Sequence, residues 1–324
     1  MDALPRIVLD PAPRRMDEIF HPSDLVRLKA LVDPMWARDA PMPLDAARHA
    51  LRDAVALVCG AWRYGDALSD AARLRAIISV SGSFPGDLDY DACFARGIRV
   101  LSAAPAFGPQ VAEMALGMAL AACRGIVEGD MAMRDGTERW LHAGNADTFL
   151  LYGKPVGFLG YGGLARALRP LLAPFGCPIS VYDPWLSAGY LRSQGVEPCE
   201  LGRLLATSRV IFVLAIPSSE NQALLTRELL EKIQPNAVLV LISRAHLVDF
   251  DALTEMVLAG RFRAAIDVFP DEPKANDEEF VSALRGLPNV ILTPHIGGST
   301  EEAQQDIGEF VANKLVDYVA SGAT

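Results

Sequence analysis

The chain has 324 residues, 51% of them hydrophobic and 22% charged, which is enough for about two domains with sizeable cores. A net charge of −10 and a pI near 5.0 argue against nucleic acid and anionic membrane surfaces as partners. The five cysteines (Cys59, Cys93, Cys123, Cys177, Cys199) are odd in number, widely spaced and without a C-x-x-C pair, so reduced thiols in a cytoplasm are expected, with no disulfide framework and no metal site.

The opening "MDALPRIVLDPAPRR" has no apolar stretch after a basic start, so no signal peptide is expected. Short apolar runs at Ile7–Leu9, Val55–Cys59, Arg75–Val80 and Ile98–Leu101 read as strands alternating with helix-like stretches. Val111–Ile126 is a strongly apolar helix, in which Met114, Met118 and the alanines are expected in the core or at a subunit interface. Its longest apolar run, Met114–Cys123, is shorter than the ~20 residues that span a bilayer. Val156–Leu159, a helix over Leu164–Phe175 and Ile179–Tyr182 form a strand–helix–strand unit of the kind that joins parallel strands. Strands are expected again at Val210–Ala215, Ala237–Ile242, Ala264–Val268 and Val290–Thr293. Runs without strict alternation suit strands covered on both faces. The acidic, turn-rich "PDEPKANDEE" reads as a solvated loop. Two Rossmann-like α/β lobes follow, each a parallel sheet flanked by helices.

The turn between the strand Val156–Leu159 and its helix reads Gly160-Tyr161-Gly162-Gly163-Leu164-Ala165, a G-x-G-x-x-A fingerprint. Gly160 makes the tight turn, Gly162 lets a pyrophosphate approach the backbone, and Ala165 lets helix and strand pack closely. Amides at a helix start favour an anion. Asp183 ends the next strand, where an acid can accept hydrogen bonds from ribose hydroxyls. The strand, the glycines, the helix and the acid together point to a dinucleotide, where glycines alone would mark only a turn.

Ligands of open α/β sheets lie beyond the carboxyl ends of the strands. The late strands are followed by Ser243 and Arg244, by Asp271 and Glu272, and by His295. Arg244 suits a bidentate grip on a substrate carboxylate. His295 can move a proton near neutral pH, and Glu272 can orient its imidazole. With a nicotinamide beside them, the set suits hydride transfer at C2 of a 2-hydroxy or 2-oxo acid. Taken singly, each has a plainer reading: a surface salt bridge, a helix cap and a stiffened turn. His246 is the rival base, while His21, His49 and His142 lack a strand-end context.

At these positions the sequence resembles the D-isomer-specific 2-hydroxyacid dehydrogenase family, which includes phosphoglycerate dehydrogenases, hydroxypyruvate and glyoxylate reductases, and formate dehydrogenases. The resemblance covers about Arg75 to Ala312 and rests on "GIRVLSAAPAFGPQVAEMALGMALA", "VGFLGYGGLARAL", "LISRAHLVDFDAL", "AAIDVFPDEP" and "NVILTPHIGGST". It implies a cofactor domain over 106–295 inserted in a discontinuous substrate domain of 1–105 and 296–324. Arg244, Glu272 and His295 are then the catalytic residues. NAD is expected against Gly160, Tyr161, Gly162, Gly163, Leu164, Asp183, Pro217, Ser243, Asp267, His295 and Gly297. Asp267 would meet the nicotinamide carboxamide. Substrate is expected at Ser81, Gly82, Ser83, Arg244 and His295. A homodimer through the cofactor domain and the arm at about 125–150 is implied.

The implied activity is that of a cytoplasmic NAD-dependent D-2-hydroxyacid dehydrogenase running as a 2-oxo-acid reductase of the glyoxylate/hydroxypyruvate type. The alternatives are an NAD(H)-sensing, corepressor-like binding protein of the same fold, or a specialised member acting on formate or phosphite. Two departures stand out. Ala245 occupies the place where the family has glycine after the arginine, which costs energy if the backbone there needs positive φ. In "SVSGSFPGDLDY" Phe84 replaces a second glycine of the substrate loop, and Pro85 removes an amide donor. Trp62 reads as a pocket wall or as core.

Overall fold

The computed structural model describes residues 4–145, 147–218, 220–273 and 279–317. Residues up to Phe107, together with those from Thr300 onward, form one compact unit, and Gly108–Ser299 form a second. Part of "PDEPKANDEE", residues 274–278, lies outside the described residues.

The first unit is built on five parallel strands: β1 (Arg6–Asp10), β2 (Asp33–Trp36), β3 (Ala56–Cys59), β4 (Ala76–Ser79) and β5 (Arg99–Ser102), in the order β2-β1-β3-β4-β5. Every residue of β3 and β4 is buried, which is why these strands read as unbroken apolar runs. β2 was not expected. It carries Pro34 and lies at the sheet edge, the place where a strand tolerates a residue without an N–H. The helix Glu301–Leu315 returns to this unit and buries Ile307, Val311 and Leu315 against Ile7, Leu9, Ile19 and Leu28. Thr300 caps it by accepting the Ala303 N–H at 3.2 Å. A charged residue sits inside the unit as well. Asp10 is fully buried at the end of β1, where its carboxylate accepts from the Tyr64 hydroxyl at 2.6 Å and from Arg63. Trp62 is core, not pocket wall: it is 6% exposed and packs edge-on against Tyr64 at 5.2 Å.

The second unit has seven parallel strands: β6 (Val156–Leu159), β7 (Ile179–Tyr182), β8 (Glu197–Pro198), β9 (Val210–Val213), β10 (Val238–Leu241), β11 (Arg263–Ile266) and β12 (Val290–Leu292). Their order is β12-β11-β10-β9-β6-β7-β8. The chain winds from β6 out to β8 and then returns to β9 on the other side, so the reversal falls between β6 and β9. In doubly wound sheets the ligand crevice opens at that point. Two apolar layers cover the sheet, one around Leu204, Leu241 and Leu253 and the other around Phe158, Phe212 and Leu168.

The expected helix over Leu164–Phe175 begins at Gly163 and is α-helical to Leu172. Its last three residues tighten to a 3-10 turn after Pro170. The apolar helix spans Gly108–Arg124 and stops at Gly125, whose φ is +61°. A separate helix, Ile126–Asp135, then begins. With the turn before it, the first of these makes 21 residues of membrane-spanning length and composition, longer than the run read from the sequence. Ala112, Ala115, Met118, Ala119 and Ala122 on it are nonetheless buried in the core that contains Ala165 and Leu168.

Candidate active site

The glycine turn stands at the carboxyl end of β6. Gly160 has φ +93°, and a Cβ there would lie 2.7 Å from the Ala215 Cα, so only glycine fits. Gly162 caps the helix that starts at Gly163, and a Cβ on either would meet nothing within 4 Å. The turn therefore presents open space next to helix amides, as a pyrophosphate requires. Ala165 is fully buried.

Asp183 follows β7. Its Oδ2 accepts the Tyr161 N–H at 2.8 Å and its Oδ1 accepts the Trp185 N–H at 3.0 Å. An ionised carboxylate offers about four lone-pair sites, so about two remain for ribose hydroxyls. The Tyr161 amide is held by Asp183 and is not a free donor, and the Tyr161 ring is buried in the core at 1% exposure. Leu164 packs against the same core from its edge.

Arg244, Glu272 and His295, each beyond the end of a different strand, line one cavity of about 920 Å³ together with Pro217 and His246. His295 Nδ1 lies 2.6 Å from Glu272 Oε2, and Glu272 Oε1 accepts the Phe269 N–H at 2.8 Å. Burial pushes the Glu272 carboxyl up, but the hydrogen bonds from His295 and Phe269, with the charges of His295 and Arg244, outweigh it and hold the group below its ordinary value. A carboxylate only accepts, so Nδ1 carries the proton and Nε2 is left for chemistry. His295 also has φ +52°, a left-handed conformation uncommon outside glycine.

The turn carrying His295 hangs from Asp267, which is 1% exposed. Asp267 Oδ1 accepts from the Thr293 hydroxyl at 2.6 Å and the Ile296 N–H at 3.0 Å, and Oδ2 accepts the Gly297 N–H at 2.9 Å. A Cβ on Gly297 would lie 2.9 Å from that Oδ2. Three donors leave about one lone-pair site on Asp267, and in this structure it secures the His295 turn. The sequence reading missed Thr293 as part of this arrangement. Its signal was a hydroxyl residue two positions before the histidine.

Arg244 has extended backbone, and its guanidinium donates to the Ser243 carbonyl at 2.7 Å. Burial lowers its pKa and the charge of Glu272 partly restores it. No carboxylate lies within 4 Å of it among the described residues, so the fork is open to an acid. Ala245 is buried and absent from the positive-φ residues, so alanine is accommodated without backbone strain. The Ser243 hydroxyl is buried without a partner among the described residues. His246 Nε2 donates to the Ser218 carbonyl at 3.0 Å, which ties up the nitrogen a rival base would need. Burial pushes the thiols of Cys59 and Cys123 up to about 12, which disqualifies both as nucleophiles at neutral pH.

Ser81, Gly82 and Ser83 follow β4 in the first unit. The amides of Ser81 and Ser83 point to the Ser79 and Ser81 hydroxyls, at 3.3 and 3.4 Å. Both amides are therefore directed at hydroxyls of their own loop. Phe84 is 49% exposed, and Pro85 is buried, with its carbonyl accepting the Tyr90 hydroxyl at 2.7 Å.

The model for the NAD binding domain of D-isomer specific 2-hydroxyacid dehydrogenases matches residues 116–297. D-3-phosphoglycerate dehydrogenase of Mycobacterium tuberculosis is 34% identical over 297 residues, covering 91% of this chain and 54% of the relative. The enzyme of that name from Escherichia coli is 35% identical over 80% of this chain and 62% of its own length. The chain thus spans between half and two thirds of the curated relatives it matches. A solved phosphoglycerate oxidoreductase from Rhizobium etli superposes with a TM-score of 0.79 at 34% identity, covering 99% of this chain and 96% of that one.

Proposed function

The chain belongs to the D-isomer specific 2-hydroxyacid dehydrogenase family, and from that premise we propose that it is an NAD-dependent oxidoreductase that reduces 2-oxo acids of the glyoxylate/hydroxypyruvate type to D-2-hydroxy acids. One observation carries this reading: an open arginine fork and a carboxylate-oriented imidazole share one cavity. The glycine turn and Asp183 fit the dinucleotide, which when bound supplies or accepts the hydride at C2.

Arg244 grips the substrate carboxylate through its planar fork and draws electron density from the adjacent carbonyl. His295 Nε2 gives a proton to the carbonyl oxygen in reduction and takes it back in oxidation. Glu272 fixes the ring through Nδ1 and favours the cationic form. Asp267 keeps the histidine turn in place.

Five unpaired cysteines suit a reducing cytoplasm. Ile126, Met131, Met133, Trp140, Leu141 and Leu150 are exposed on and after the helix Ile126–Asp135, and a second copy of the chain is the occupant that fits, giving a homodimer. Light scattering on the purified protein tests this, and a monomer at micromolar concentration would refute it.

The decisive experiment is NADH oxidation with glyoxylate, hydroxypyruvate, pyruvate and phenylpyruvate. Binding of NADH without turnover of any of them would turn the reading toward a dinucleotide sensor.

A further inference from the structure

The cavity around Arg244 and His295 carries a charge pattern that selects among 2-oxo acids. Asp249, Asp251 and Asp271 line it beside Glu272, and Arg244 is the only arginine or lysine in the lining among the described residues. Two of the acids have local tasks. Asp249 caps the helix Phe250–Leu258 by accepting the Ala252 N–H at 3.0 Å, and Glu272 holds His295. Asp251 and Asp271 are exposed, and neither has a cation within 4 Å among the described residues. Part of the remaining wall is aromatic. Phe269 packs edge-on against Phe250 at 6.1 Å and Phe280 at 4.8 Å.

If Arg244 is committed to the substrate carboxylate, a second anionic group on the substrate meets acids and phenyl rings, with no further arginine or lysine in the lining to receive it among the described residues. A phosphate ester adds about 1.5–2 negative charges near neutral pH. Against an acidic wall that is a like-charge juxtaposition, the usual means by which a site rejects a wrong partner.

We propose that the substrate is a singly charged 2-oxo acid with an uncharged side chain, and that Asp251 and Asp271 exclude phosphorylated 2-oxo acids. The inference rests on the reading of Arg244 as the carboxylate anchor. It separates this chain from the phosphoglycerate dehydrogenases to which it is similar.

The test compares kcat/KM for hydroxypyruvate and 3-phosphohydroxypyruvate with NADH. It uses wild type and the double variant Asp251→Asn, Asp271→Asn, at low and high potassium chloride. Wild type at low salt is expected to favour the unphosphorylated acid by about tenfold or more. The preference should shrink in the double variant, and also with salt, which screens exposed charges over about 10 Å at 0.1 M. Equal or better use of the phosphorylated acid overturns the proposal, as does a ratio that neither salt nor the variant moves.

A second measurement needs no turnover: calorimetric titration of the protein–NADH complex with D-glycerate and with 3-phospho-D-glycerate. Tighter binding of D-glycerate supports the charge selection, and tighter binding of the phosphate ester, or binding of neither, overturns it. If D-glycerate binds more tightly while no 2-oxo acid oxidises NADH, the hydride-transfer reading falls and the charge selection stands.

Discussion

Asp183 is predicted to set the preference between NADH and NADPH, with a size that follows from its contacts. Its two oxygens are held by the Tyr161 and Trp185 amides at 2.8 and 3.0 Å, so the carboxylate cannot swing away from a ligand seated on the glycine turn. NADPH would bring a 2′-phosphate of about 1.5–2 negative charges to that carboxylate. Unit charges 4 Å apart interact by about 1 kcal/mol in water and about 4 kcal/mol at an effective dielectric of 20. Asp183 is half-buried, which places it toward the lower end, at a repulsion of about 2–3 kcal/mol in total. Since about 1.4 kcal/mol is tenfold, NADH should be favoured by roughly two orders of magnitude in kcat/KM. No arginine or lysine follows directly to offset this: the next residues are Pro184, Trp185 and Leu186.

Asp183→Asn removes the charge but keeps one acceptor oxygen for the turn, while Asp183→Ser removes the charge and leaves only a shorter hydroxyl. Both variants should close most of the gap, and the serine variant should also weaken NADH, because the Tyr161 amide loses its anchor. The assay is kcat/KM for each cofactor at saturating 2-oxo acid in the three proteins. A wild type that prefers NADPH, or an Asp183→Asn whose ratio equals that of wild type, would refute the reasoning.

Arg244→Lys keeps the charge but loses the fork, so steady-state kinetics should show a large rise in KM for the 2-oxo acid with a fall in kcat; wild-type values would remove Arg244 from the site. His295→Gln should cut kcat by about 10² to 10⁴ with NADH binding retained by fluorescence titration, whereas His246→Gln should leave turnover largely in place; the reverse pattern would identify His246 as the base. Glu272 is held below its ordinary value in the fold. Its contribution to stability is therefore complete above the unfolded carboxyl's pKa of about 4.3 and is lost as pH falls through the lower folded value. Denaturant midpoints measured across that acid range should fall less steeply in Glu272→Gln than in wild type, and identical slopes would contradict the pairing with His295.

The strands and the rim of the site were legible because they obey local rules. β6, β9 and β10 are covered on both faces and write themselves as apolar runs, and the glycine turn needs residues that no side chain can replace. β2 and β8 were hidden for the same kind of reason. One carries proline at a sheet edge, and the other is a two-residue strand, Glu197–Pro198, too short to show a period. The meeting of Arg244, Glu272 and His295 follows from strand order, which places the ends of β10, β11 and β12 side by side. What sequence could not give were contacts set by three-dimensional neighbours. The Asp183 carboxylate reaches back to the Tyr161 amide, Asp267 turns to the histidine loop, and the serine loop folds onto its own hydroxyls. Ala245 escapes the expected cost of a positive φ for the same reason, since the φ of a residue is not written in its neighbours' names.

Asp267 gives the turn that carries His295 a particular kind of firmness. All three of its donors belong to the short turn Thr293–Gly297, and the carboxylate is shut away from water. Detaching one donor would leave a desolvated acceptor underserved, so each bond makes the loss of the others more expensive. The turn is therefore fastened like a latch: it lets go as a block or stays put, and intermediate postures are thinly populated. Glu272 closes on the imidazole from the other side. In amide exchange, Ile296 and Gly297 should behave as one opening unit with a common rate, and the histidine they flank inherits that discreteness of position.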